Sequence, residues 1–344
     1  MRVATLADLS LFDEIIDARS PAEYAEDCVP GAINLPVLNN AERERVGTLY
    51  KQVSPFAAKK TGAALVSRNI AQHIETWFAD KPKTYRPLIY CWRGGSRSGA
   101  MTHVLQKIGF DAMQLSGGYK AYRKQVVSEL TLLPATLQYR VLCGPTGCGK
   151  SRLLTALADA GAQVLDLEAL ASHRGSLLGA LPGEPQPAQK GFDTAIWVRL
   201  TRFDPARPVY VESESKRIGT LVVPDALITA MRASPCVRIE APLDARVQLL
   251  IEDYTHFLTD PATLNTQLGY LTELRGKENI QAWQTLAHQA AWSELVSSLL
   301  ETHYDPAYRK SLANNFAPRA DDLCLSVADL SAPSLRDLAQ KILA

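Results

Sequence analysis

The sequence predicts an α/β protein built as two units in tandem, each around a parallel sheet, with a helical part at the C-terminus. Three observations predict it. Short apolar runs alternate with helical stretches through the first third, the pattern of a parallel sheet covered on both faces. The apolar run Leu88-Ile-Tyr90 leads directly into Cys91-Trp-Arg-Gly-Gly-Ser-Arg97. The run Tyr139-Arg-Val-Leu-Cys143 feeds Gly144-Pro-Thr-Gly-Cys-Gly-Lys150-Ser151, a complete phosphate-binding P-loop.

In order along the chain, Ile15-Ile16-Asp17 is a strand ending on a carboxylate. Ser20-Pro-Ala-Glu23 has the N-cap, Pro and Glu of a helix start. Pro30 to Pro36 is a turn and a short extended run, and residues 68–78 are helical. Met101, Val104, Leu105 and Ile108 share one helical face over 98–108, and Gly109 stops that helix. Ala112 to Leu115 is the next strand and Gly117-Gly118 a turn. Leu133-Pro134 interrupts the following helix, which gives a first domain at 1–128, a linker at 129–138 and a second domain at 139–344. In the second domain Arg152 to Ala160 continues the P-loop as a helix. Gln163 to Asp166, Val209 to Glu212 and Val237 to Glu240 are strands. Residues 172–191, with three Pro and four Gly, form a long loop. From Leu243 the pattern is mostly helical to the end.

Formal charge is +1, so a general nucleic-acid coat is excluded and any RNA contact rests on local basic patches. The beginning of the chain lacks the charged-then-apolar pattern of a signal peptide, and no apolar run is long enough to span a bilayer. The six cysteines form no CxxC pair. Together these features point to a cytoplasmic protein with free thiols and no membrane partner.

Around Cys91, Gly94 and Gly95 allow the backbone to curl about an anion, and Arg93 and Arg97 are placed to add charged donors. A strand-to-helix turn directs N–H groups and a helix dipole at the sulfur, which favours the thiolate nucleophile. In the P-loop, Gly144, Thr146, Gly147 and Gly149 wrap phosphate oxygens, Lys150 supplies positive charge, and Ser151 is a candidate Mg²⁺ ligand. Asp166 and Glu212 stand in for the acid of a second phosphate motif. His173, Arg174, Lys216 and Arg217 are candidate clamps for a diphosphate or an RNA backbone. Gln186 and Gln189 have no assignable role at this level.

The N-terminal third resembles a rhodanese domain through Asp17-Ala-Arg19, Pro30-Gly-Ala-Ile-Asn-Leu, the Cys91 loop and Leu115-Ser-Gly-Gly-Tyr119. It departs from most single-domain rhodaneses in placing five residues, not four, between the Cys and the Arg. With the P-loop, Asp166-Leu-Glu…His173-Arg-Gly, Glu212-Ser-Glu-Ser-Lys-Arg-Ile-Gly219 and Tyr304-Asp-Pro-Ala-Tyr-Arg-Lys-Ser311, nearly the whole chain resembles the tRNA 2-selenouridine synthase family. That fold is a rhodanese-like domain followed by a P-loop NTPase-like α/β domain. The resemblance implies a transferase with no tightly bound cofactor. Its substrates are geranyl diphosphate, selenophosphate and the wobble 2-thiouridine of tRNAs for Lys, Glu and Gln. It implies a selanyl intermediate on Cys91, no DNA partner, and a selenophosphate-supplying enzyme as a possible partner.

Candidate RNA contacts are Arg43, Arg45, Lys51, Lys59 and Lys60, and Arg309 and Lys310 beside Tyr304 and Tyr308. Trp92 is a candidate to stack on the uracil or pack against the prenyl chain. The rival readings are a cysteine-dependent phosphatase or sulfurtransferase fused to a nucleotide-binding P-loop domain, and a non-catalytic nucleotide sensor.

Overall fold

The computed structural model describes residues 2–176 and 178–344. The chain forms two compact units, Met1–Glu129 with Ala188–Thr194, and Leu130–Pro187 with Ala195–Ala344. The residues expected to link them hold the end of the helix Gly118–Leu132 and a 3-10 turn, Leu133–Thr136.

The first unit contains β1 (Val3–Ala4), β2 (Glu14–Asp17), β3 (Ile33–Asn34), β4 (Pro87–Tyr90) and β5 (Met113–Leu115) in the order β1-β5-β4-β2-β3. Every pairing is parallel, with Asp17 opposite Tyr90. Central β4 is buried at all four positions, as a strand covered on both faces requires. The core gathers Ile16, Leu65, Ile70, Ile89, Met101 and Leu105.

Helix is more extensive here than the sequence pattern predicted. Helices run Asn40–Gln52 and Pro55–Thr76, where only 68–78 was expected to be helical. The second buries Ala58, Gly62, Leu65, Val66 and Ile70, an i, i+4, i+7, i+8, i+12 stripe whose first members are too small to register as apolar. Asn39 and Ser54 cap the two starts by accepting the N–H groups of Glu42 and Ala57.

In the second unit β6 (Tyr139–Cys143), β7 (Gln163–Leu165), β8 (Val209–Glu212), β11 (Cys236–Glu240) and β12 (Leu323–Ser326) form a parallel sheet in the order β12-β11-β6-β8-β7. A short antiparallel pair, β9 (Arg217–Ile218) and β10 (Leu221–Val222), stands apart from it. The edge strand β12 lies within the region after Leu243 that was expected to be mostly helical, and the pattern gave no sign of it. Its residues are mostly exposed, so it lacks the apolar run that marks a central strand. The long loop ends at the helix Gln189–Leu200, three residues earlier than expected. Among the described residues no helix is long and apolar enough to cross a membrane.

Candidate functional site

Cys91 leaves the C-terminal end of β4 and is only 3% exposed. The helix Ser96–Ile108 begins just beyond it, with Gly95 as N-cap. Gly94 has φ +65°, and a Cβ there would lie 2.8 Å from the Leu115 carbonyl oxygen. Gly118, at φ +55°, is pressed closer still: its Cβ would meet the Cys91 carbonyl oxygen at 2.3 Å. Gly95 keeps an ordinary negative φ with nothing near a Cβ, so the curl expected of both loop glycines rests on Gly94.

Two groups that the sequence did not single out serve the sulfur. The Ser98 hydroxyl donates to Cys91 Sγ at 3.0 Å. Gln114 Nε2 in turn donates to Ser98 Oγ at 2.7 Å and to the Gly95 carbonyl at 3.0 Å. Ser98 and Gln114 are both buried, so this relay is fixed by packing. The only sequence signal was a pair of polar residues on core-facing positions of a helix and a strand.

Arg97, expected to add a charged donor at the sulfur loop, is paired with Glu23. Its guanidinium holds Glu23 at 2.6 and 3.2 Å, and Glu23 also accepts from the N–H and hydroxyl of Ser20. Burial pushes the Glu23 carboxyl up, but Arg97 outweighs it and holds the group down at about 2. Arg97 thus pins the start of the helix Pro21–Glu26, while Arg93 is exposed. Trp92 is half-buried against Tyr119, ring centroids 5.3 Å apart, with Lys190 Nζ 5.9 Å from its ring. Asp17 and Arg19 are buried and paired to each other at 2.6 Å, a structural clasp behind the loop.

The P-loop has its glycine turns at Gly147 and Gly149, both at φ +80°. Lys150 Nζ donates to the Gly144 carbonyl at 2.7 Å and lies 5.2 Å from the Tyr308 ring. Burial pulls the Lys150 ammonium down, yet neighbouring Cys148, Tyr308, Glu168 and Glu214 raise it on balance. Tyr308 was expected at an RNA surface. Its oxygen instead accepts the Gly144 N–H at 2.6 Å and sits 3.0 Å from Ser213 Oγ. Arg246, unmarked by any motif, donates to the Thr146 carbonyl at 2.9 Å and pairs with Asp305 at 2.5 Å. The C-terminal helices therefore brace the P-loop across more than a hundred residues of sequence.

The acid that reaches Ser151 is Glu168, which accepts its hydroxyl at 2.9 Å. Asp166 caps the helix Leu167–Ala171 by accepting the Ala169 N–H. Glu212, 1% exposed, accepts the Glu168 N–H at 2.8 Å with one oxygen and leaves Oε2 without a partner. Burial and neighbouring carboxyls push Glu212 well above the usual range. Burial and Glu168 push half-buried Glu214 up to about 8. Burial raises Asp166 and Glu168 too. Among the described residues no group of three His, Cys, Asp or Glu is arranged to hold a metal. The Ser151–Glu168 oxygen pair has the hard-donor chemistry Mg²⁺ prefers, and that ion usually takes only one or two protein oxygens.

Of the candidate clamps, Arg174 lines the cavity over the P-loop, with its guanidinium 2.5 Å from the Asp253 carbonyl and 4.6 Å from the Tyr254 ring. His173 also lines it; its Nδ1 accepts the Gly175 N–H and burial lowers its pKa. Lys216 pairs instead with Asp225 at 2.6 Å, and Arg217 is exposed on β9; neither lines the cavity. Gln186 ties the long loop to the β9–β10 turn by donating to the Ala171 and Ile218 carbonyls and accepting from Thr220. Gln189 donates to Asp193 at 2.7 Å.

The P-loop cavity measures about 650 Å³ and includes Lys150, Ser151, Glu168, Arg174, Glu214 and Tyr308 in its wall. A narrower chamber of about 80 Å³ adjoins it, walled by side chains such as Leu264, Trp292, Leu295, Val296 and Leu299. The two share Thr146, Ser176, Leu250, Tyr254 and Tyr304. Tyr304 therefore belongs to this wall and not to an RNA surface, whereas Arg309 and Lys310 are exposed.

Residues 137–274 match the family model of the tRNA 2-selenouridine synthase AAA domain, and residues 3–125 match the rhodanese-like domain. A tRNA 2-selenouridine synthase of Alcanivorax borkumensis is 34% identical over 90% of this chain and 92% of its own length. One from Shewanella halifaxensis is 37% identical over 86% of this chain and 87% of its own. One from Nitrosomonas europaea is 38% identical over 72% of this chain, a match spanning 64% of that relative.

Proposed function

The chain belongs to the tRNA 2-selenouridine synthase family, and from that premise we propose that it converts 2-thiouridine in tRNA to 2-selenouridine in two steps. In the first, the thiocarbonyl sulfur attacks C1 of geranyl diphosphate, the C–O bond breaks, and pyrophosphate leaves. In the second, the Cys91 thiolate takes selenium from selenophosphate as the Se–P bond breaks and phosphorus leaves as phosphite. The terminal selenium adds at C2, and the C–S bond breaks with departure of the geranyl thiol. Two equivalents of a small thiol then reduce the S–Se bond, leaving as a disulfide and regenerating Cys91. Alkylation makes the sulfur a competent leaving group, which is the reason for two steps. The substrates are the tRNAs for Lys, Glu and Gln, read at the wobble position.

The observation that carries this reading is the apolar chamber adjoining the P-loop cavity. Nucleotide hydrolysis calls for no such chamber. A diphosphate with a prenyl tail asks for a cationic cradle and an oily slot side by side. Lys150 and the P-loop N–H groups would hold the pyrophosphate, with Arg174 at the cavity wall. Ser151 and Glu168 would hold Mg²⁺, which would neutralise charge on the leaving group. At Cys91, Ser98 gives the sulfur a donor, and burial keeps water from a hydrolysable selanyl group. The phosphatase reading needs an arginine facing the anion, and Arg97 is held by Glu23.

The test separates the two steps. Lys150→Ala is expected to abolish S-geranylation of 2-thiouridine tRNA while leaving selenation of pre-geranylated tRNA intact, both read by nucleoside mass spectrometry. Loss of selenation alone would refute the assignment of the P-loop.

A further inference from the structure

The helices Asn40–Gln52 and Pro55–Thr76 form a hairpin on the first unit whose tip has an unusual surface. Tyr50 is 57% exposed, Val53 67% and Phe56 74%, three large apolar side chains within seven residues. The tip is well built. The N–H groups of Val53 and Ser54 both donate to the Leu49 carbonyl, and Ser54 caps the second helix. The exposed rings are therefore presented on a fixed backbone. Lys51, Lys59 and Lys60 are exposed around them, and Lys60 Nζ lies 5.8 Å from the Phe56 ring. From Val46 to Ile74 the sequence holds Lys51, Lys59, Lys60 and Arg68 and no Asp or Glu. In a chain whose formal charge is +1, the absence of acids leaves this segment locally net positive.

We propose that this hairpin tip is an RNA-docking surface. Tyr50 and Phe56 stack on unpaired bases, and Lys51, Lys59 and Lys60 contact the flanking phosphates. Aromatic faces alternating with cations are the means by which proteins hold single-stranded RNA segments and loops. A rigid, acid-free helical tip fits a polyanion better than it fits an average protein surface. The proposal rests on the reading that tRNA is the substrate, and it names where on the first unit that RNA is gripped.

The experiment uses the full chain and fluorescein-labelled tRNA, with affinity measured by anisotropy across a salt series. Tyr50→Ala with Phe56→Ala is expected to weaken binding roughly tenfold per ring, with the salt dependence unchanged. Lys51→Gln, Lys59→Gln and Lys60→Gln together are expected to flatten the slope of log affinity against log salt by about 2. Each of these side chains is exposed, so melting temperatures should match wild type and report intact folding. Wild-type affinity and slope in both variants would overturn the proposal. So would a concentration-dependent dimer, lost in the double alanine variant while RNA binding persists, which would assign the tip to a second copy. Selenonucleoside formation is followed in parallel. If the wild type makes none but the variants lose RNA, the docking surface stands and the two-step reading falls. If the variants bind and react like wild type, the reverse holds. Failure of the wild type to bind tRNA sinks both.

Discussion

The Cys91 loop and the P-loop use one backbone device, a buried strand, a glycine turn and a helix N-terminus, yet they are furnished in opposite ways. At Cys91 the sulfur accepts from the neutral Ser98 hydroxyl, which Gln114 holds in turn, while Arg97 is paired with Glu23. At the P-loop an ammonium sits among carboxyls, Glu168, Glu212 and Glu214. Those carboxyls would cancel the lysine if they were ionised. Burial and neighbouring carboxyls raise them, Glu214 to about 8, so Glu214 adds little negative charge at neutral pH, and a Mg²⁺ held by Glu168 would offset the charge of that residue. A strand–loop–helix turn thus supplies geometry, and the surrounding side chains decide whether it holds a nucleophile or a polyanion.

The sharpest break in that comparison is Cys91→Ala. It should lower selenonucleoside yield to below about a thousandth of wild type while S-geranylation persists, because only the first loop provides a nucleophile. Next in size, Val296→Trp fills the chamber beside the P-loop. It should weaken geranyl diphosphate use about tenfold and leave inorganic pyrophosphate binding unchanged, compared by steady-state kinetics and calorimetry. Equal loss of both would assign the chamber a purely structural role. Ser98→Ala removes the donor to the sulfur and should slow alkylation of Cys91 by iodoacetamide roughly tenfold at fixed pH.

The smallest effect concerns pH. Glu23 has its folded pKa lowered from 4.5 to about 2, so the Arg97 pair stabilises the fold above the unfolded value. That contribution is lost as pH falls from about 4.5 toward 2. Glu23→Gln should therefore cost about 1 kcal/mol at pH 7, a figure set by the partly exposed pair, and nearly nothing below pH 2. Denaturant titrations at the two pH values measure it.

Much of this molecule was legible in local sequence. Strands β4 and β6, the two loops, Gly94, Gly147 and Gly149, and the capped helix at Ser20 follow from apolar runs, positive φ and short-range hydrogen bonds. These depend on a few neighbouring residues, so the sequence alone determines them. The helix Asn40–Gln52 was missed because it buries no residue and so shows no apolar stripe, and the first half of Pro55–Thr76 because Ala58 and Gly62 open its buried stripe. β12 was missed because an edge strand with exposed faces has no apolar signature. Tertiary structure alone decided which partners each loop received. Gln114 reaches Ser98, Tyr308 reaches the Gly144 N–H, Arg246 bridges Thr146 to Asp305, and distant helices wall the apolar chamber. Such partners lie far apart in sequence and meet only through the order of strands and the packing of helices. The residue types at those positions permit many contacts, and the fold selects one.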